Sequence, residues 1–147
     1  MSLRKTLAAV AMSAALAGGG LVLAAPAEAA PLCDPWGATG TAGDIGGAYA
    51  HGDMCIFNVD NRPSVEVDLR DTAKDGKAAC VQLHATYADG GTRDEWVYNG
   101  RGAGAANEVQ ANYTFASSLR GIWVREGLGK DKVCTVMARG VHTIYRY

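Results

Sequence analysis

The residues able to do chemistry are few and widely spaced. His51, His84 and His142 are the histidines of the chain. A ribonuclease-like site needs a glutamate base, a histidine acid and an arginine for the phosphate, converging in one cleft. His84, Glu95 and Arg101 would meet that need if the segments 80–88 and 94–98 paired as a hairpin. A solvated strand face carries the same residue types without any catalytic purpose, and that plainer reading is preferred. Ser64, Ser117 and Ser118 stand in turn-like contexts, and no Gly-x-Ser-x-Gly elbow is present. Asp71, Asp75, Asp89, Asp94 and Glu95 fall in or beside loops, but their spacing does not repeat a calcium-binding EF-hand loop. Solvated turn carboxylates are the default, and neither a metal nor a cofactor is expected.

The aromatic residues offer a better lead. Trp96 and Tyr98 share one parity with Asp94, while Val97 has the other. Trp123 alternates with Ile122 and Val124, so if those two face a core, Trp123 is exposed beside Arg125. Exposed tryptophans on a sheet stack on sugar rings or form protein contacts. Trp96, Tyr98, Trp123, Arg125 and His84 are therefore the candidate binding residues, with an extracellular polysaccharide or protein as partner. The competing structural reading puts Trp96 in the core and Trp123 under an N-terminal arm.

Such side chains must be positioned by strands, because the dominant pattern has period two. Cys55, Phe57 and Val59 alternate with other residues; Val65, Val67 and Leu69 alternate with Glu66, Asp68 and Arg70. Val81, Leu83, Ala85 and Tyr87 alternate with Gln82, His84 and Thr86, and Val109, Ala111, Tyr113 and Phe115 with Gln110, Asn112 and Thr114. This is the signature of strands with one buried and one wet face. Further strands are expected at 94–98, at 120–125, and from Val133 to Tyr147 as one strand or two, broken near Gly140. Turn-like breaks include Asp71 to Gly76, Asp89-Gly90-Gly91 and Gly127-Leu128-Gly129-Lys130. About seven short strands at this spacing predict an all-β fold, an antiparallel β-sandwich, immunoglobulin-like or a small barrel. Residues 30–53, rich in Gly, Ala, Thr and Asp, read as an irregular arm held by Cys33 and Trp36, and 54–147 as the sandwich.

The N-terminus reads as an export signal. Arg4 and Lys5 precede an uncharged, Ala/Leu/Val-rich stretch from Thr6 to Leu23, and Ala27-Glu28-Ala29 offers a cleavage site. Residues 1–29 are expected to be a signal peptide, leaving a soluble secreted chain. Its removal takes Arg4, Lys5 and Glu28, so 12 basic residues face 14 acidic ones and the net charge is −2. That balance gives no basic footprint, so neither nucleic acid nor an anionic membrane is an expected partner. All four cysteines lie beyond the signal, and an even count in a small secreted chain implies disulfides. The preferred pairing is Cys33–Cys55 with Cys80–Cys134. Because Cys80 has the parity of Gln82 and His84, its bridge is expected over the outer face or at a strand edge, and pairing of Cys80 with Cys33 and Cys55 with Cys134 stays open.

The run Ala79-Cys80-Val81-Gln82-Leu83, then Tyr87-Ala88-Asp89-Gly90, Trp96 and Gly121-Ile122-Trp123-Val124-Arg125 resembles small secreted actinobacterial proteins with no assigned function. The resemblance covers roughly the last two thirds of the mature chain and implies a secreted β-sandwich. It also implies further cysteines near Asn99 and Glu126, which this chain lacks. The expected function is a non-catalytic extracellular binding or interaction module. The alternatives are a secreted protease inhibitor, presenting a loop at Asp53 to Pro63 or Asn99 to Ala106, or a small secreted hydrolase using His84 and Glu95.

Overall fold

Alternation of β-branched and polar residues sets the two central strands. Val65, Val67 and Leu69 are wholly buried on β3 (Pro63–Asp71), as are Val81, Leu83 and Ala85 on β4 (Ala78–Tyr87). In the computed structural model, which describes residues 32–38, 44–56 and 61–147, these strands lie in opposite layers of an antiparallel β-sandwich. The other strands are β1 (Leu32–Gly37), β2 (Ala48–Ile56), β5 (Thr92–Asn99), β6 (Val109–Thr114), β7 (Leu119–Lys130), β8 (Val133–Met137) and β9 (His142–Arg146). The first sheet has the order β1-β2-β3-β6; the second has β5-β4-β7-β8, with β9 also paired to β7. Placing β3 beside β6 and β4 beside β7, with the chain crossing between layers at β3–β4, β5–β6 and β6–β7, gives an immunoglobulin-like strand order. Phe115, Leu119, Ile122, Val124 and Trp36 join the strand interiors in one apolar core.

Among the described residues, nine strands replace the expected seven. The final run divides at Gly140 into β8 and β9, the two-strand form of that segment. The other additions correct the irregular arm: within 30–53, residues 32–37 form β1 and residues 48–53 the start of β2. Small residues hide the alternation there. Ala48, Ala50 and Met54 point into the core, and Trp36 packs with them. Gly52 adopts φ +151°, and a Cβ there would meet the Glu66 carbonyl oxygen. Its glycine therefore serves the close approach of β2 to β3 rather than a loop.

A second correction concerns Gly127-Leu128-Gly129-Lys130, which continues β7 rather than ending it. The turn comes next, at Asp131 (φ 54°) and Lys132 (φ 64°), between the paired residues Lys130 and Val133. Two successive left-handed residues make the tight hairpin whose twist matches the flanking strands. The Asp89-Gly90-Gly91 hairpin forms as expected, with Gly90 at φ 83° and Asp89 Oδ1 accepting the Gly91 N–H at 2.9 Å. Residues 1–29, Phe57 and Val59 lie outside the described residues.

The cysteines pair as preferred. Cys33 and Cys55 are direct cross-strand neighbours with Cα atoms 4.0 Å apart. Cys80 of β4 bonds Cys134 of β8 across the intervening β7, with Cα atoms 6.1 Å apart. That bridge lies on the outer face of the second sheet, where the parity of Cys80 put it.

Candidate functional site

The outer face of the second sheet is built from cross-strand rows. Asp94, His84 and Trp123 lie side by side on β5, β4 and β7; Trp96, Gln82 and Arg125 form the next row; Tyr98, Cys80 and Gly127 the third. Period-two pleating forces all of them onto one side, because Val97, Leu83 and Val124 between them face the core. The five candidate binding residues, Trp96, Tyr98, Trp123, Arg125 and His84, therefore share a single face. Trp96 is 48% exposed and does not belong to the core. Trp123 stacks on His84, with ring centroids 4.6 Å apart and planes inclined by 21°. The described residues of the arm belong to the other sheet and do not cover it.

A hydrogen-bonded chain ties the rows together. An Arg125 guanidinium N–H donates to Gln82 Oε1 at 2.8 Å, and the Gln82 amide donates to Asp94 Oδ1 at 3.0 Å. His84 Nδ1 lies 2.8 Å from the same Asp94 oxygen. The Arg125 guanidinium carbon also lies 5.7 Å from the centre of the Trp123 ring. Gln82 is nearly buried, so the chain is fixed before any ligand arrives. Gln82 and Asp94 as bridging residues were not legible in the sequence as a pair; only the register, with Gln82 opposite Trp96 and His84 opposite Asp94, brings them together.

The platform has real extent. Trp96 and Trp123 are two strands apart and two residues apart along the sheet, roughly 12 Å between backbones on ordinary sheet spacings. A face of that extent suits a chain of linked sugars better than one monosaccharide. At its other end Tyr98 and Lys132 connect the platform to the β7–β8 hairpin, where Trp96, Val133 and Cys134 complete a shallow apolar notch.

The His84, Glu95 and Arg101 set is not assembled. Glu95 stands opposite Leu83 and so points away from His84; it is held by the Arg93 guanidinium at 2.7 Å. Arg101 donates instead to the Glu108 carbonyl oxygen at 3.1 Å. A different Glu–His–Arg group lies on the outer face of the first sheet: Glu108 Oε2 accepts from Arg70 at 2.8 Å and sits 3.3 Å from His51 Nε2, with Tyr49 stacked on His51. The sequence does not announce this group, because residues 48–53 read as part of the irregular arm rather than as β2. The loop carboxylates cap their own turns: Asp71 Oδ1 accepts the Ala73 N–H, and Asp75 Oδ1 the Lys77 N–H, each at 3.0 Å. The Asn99 to Ala106 loop is pinned by Asn99, whose amide donates to the carbonyls of Leu69 and Asn107 and whose Oδ1 accepts the Arg101 N–H.

Compared with known proteins, the chain matches no family, no curated protein sequence and no solved structure.

Proposed function

We propose that the protein is an exported, non-catalytic module that binds polysaccharide on the outer face of its second sheet. The observation that carries this reading is the half-exposed Trp96 standing beside a preformed Arg125–Gln82–Asp94–His84 chain. Sugar recognition needs these two ingredients together: an apolar ring face for the axial C–H groups, and paired donors and acceptors for the hydroxyls. Export is supported by the leader-like residues 1–29 and by two disulfides, which persist in oxidising compartments.

The test is retention of the mature protein on insoluble cellulose, chitin and cell wall, with Trp96→Ala and Trp123→Ala as paired variants. The expected result is retention on at least one polymer, with Trp96→Ala weakening it about tenfold, equivalent to roughly 1.4 kcal/mol. Passage of the parent protein through every matrix, or equal retention of Trp96→Ala, rejects the reading.

A further inference from the structure

The aromatic platform does not stop at Tyr98. The same ring, with Lys132, forms one wall of a cleft of about 470 Å³ between the β7–β8 hairpin and the segments flanking β4 and β5. Lys77, Lys130 and Lys132 converge on that cleft, and Asp131 is the one acid among its described lining residues. Lys130 and Lys132 are exposed, and Lys77 is held only loosely by Asp75, at 3.9 Å. Much of the remaining lining is glycine: Gly76, Gly100, Gly102 and Gly129. A Cβ on Gly76 or Gly102 would meet nothing within 4 Å, so the backbone is open at these two lining positions.

We infer that the bound polysaccharide is anionic, a linear polymer carrying carboxylates along its chain, with a sugar ring on Trp96 and Tyr98 and a neighbouring carboxylate among Lys77, Lys130 and Lys132. The inference rests on the polysaccharide reading above and adds the charge of the ligand. Three lysines against two acids, Asp131 in the lining and Asp75 beside Lys77, leave an excess of positive charge at one end of the platform, in a chain whose mature net charge is negative. The other end argues against a nucleic acid strand, which would also suit aromatic rings and lysines. There the exposed acceptor is the Asp94 carboxylate, which suits the several ring hydroxyls of a sugar polymer, groups that a DNA strand lacks along its length. The disulfide Cys80–Cys134 fixes the hairpin over the sheet, so the lysines are held beside Tyr98.

The experiment compares soluble polygalacturonate with the neutral hydroxyethylcellulose by affinity electrophoresis, at low and high salt. It uses the mature protein, Trp96→Ala and the double variant Lys130→Gln/Lys132→Asn, asparagine being tolerated at the left-handed position 132. Polygalacturonate is expected to bind more tightly than the neutral polymer, to weaken as salt rises, and to lose about tenfold in affinity in the lysine variant, as two partly screened ion pairs would give. Trp96→Ala is expected to weaken both polymers. Equal affinity for the two polymers, or a lysine variant that binds polygalacturonate unchanged, overturns the anionic ligand and leaves the aromatic platform standing. No binding of either polymer, together with no retention on cellulose, chitin or cell wall, overturns both readings. Lysine-dependent binding of oligothymidylate without binding of polygalacturonate also overturns the inference.

Discussion

Gly127 lies beside Cys80 on the neighbouring strand, under the bridge to Cys134: a Cβ added to Gly127 would stand 3.0 Å from the Cys80 sulfur, 2.6 Å from Met137 Sδ and 2.7 Å from the Val136 carbonyl oxygen. The methionine can move aside; the backbone carbonyl and the bridge cannot without shifting β8. Gly127→Ala is therefore expected to destabilise the protein by about 2 kcal/mol, within the usual range for overpacking. Gly46→Ala is the control, since nothing lies within 4 Å of its Cβ position. It should be neutral or slightly stabilising through the unfolded chain. Urea denaturation of the two variants checks the difference.

The bridges should differ in worth. Cys80–Cys134 spans 54 residues and Cys33–Cys55 spans 22. Loop-closure entropy gives about 4 kcal/mol for the longer and about 3 kcal/mol for the shorter. Only the longer one also fastens the β7–β8 hairpin over the platform. Replacing Cys80 and Cys134 by alanine should lower the urea midpoint more than replacing Cys33 and Cys55, and should weaken polygalacturonate binding as well. The shorter bridge joins strands of the opposite sheet and should leave binding intact.

These two sites also mark where the sequence stops being informative. Val65 to Leu69 and Val81 to Ala85 announce their strands because bulky and polar residues alternate. The same parity separates Trp96 and Tyr98 from Val97 and sets Trp123 opposite Ile122 and Val124, and the register then gathers them with His84 and the Cys80 bridge on one outer face. Gly127 and Gly129 carry no such label. A glycine needed for close backbone approach looks, in sequence, like a glycine needed for a turn, so the end of β7 reads as a loop. Ala48, Ala50 and Gly52 conceal β2 in the same way, and with it the His51–Glu108–Arg70 group. The Gln82–Asp94 link and the lysine cleft depend on register and on the hairpin's fold over the sheet, and these are set by pairing between distant segments.

Asn99 anchors the loop that borders the lysine cleft. It is fully buried, and both its amide group and its oxygen are engaged, by Leu69, Asn107 and Arg101. Asn99→Ala strips donors from two carbonyls, one of the bonds wholly buried, and should cost about 3 kcal/mol. Hydrogen exchange should show residues 100–107 losing protection first, with β4 and β7 still protected.

Glu126 gives the fold a pH dependence of unusual sign. The residue is 2% exposed; its Oε1 accepts the Ala50 N–H at 2.5 Å, and among the described residues no donor reaches the buried Oε2. Burial, and then the facing Asp44 carboxyl, raise its pKa from 4.5 to about 8. A proton on the Glu126 carboxyl lets it donate to the facing Asp44 carboxyl instead of repelling it. Because the folded value lies above the unfolded one, the folded state holds the extra proton between these two values. The stabilisation is complete below about pH 4.5, falls as pH rises towards 8 and is lost above it. The full amplitude is at most about 5 kcal/mol, because each tenfold change in proton affinity is worth roughly 1.4 kcal/mol. Glu126→Gln keeps an acceptor for Ala50 and a permanent donor for Asp44. It should match the parent protein at pH 5 and exceed it at pH 8.5, as read from urea midpoints at the two values. A variant with the same pH slope as the parent would show that Glu126 is ionised in the fold and that its proton does not hold Asp44.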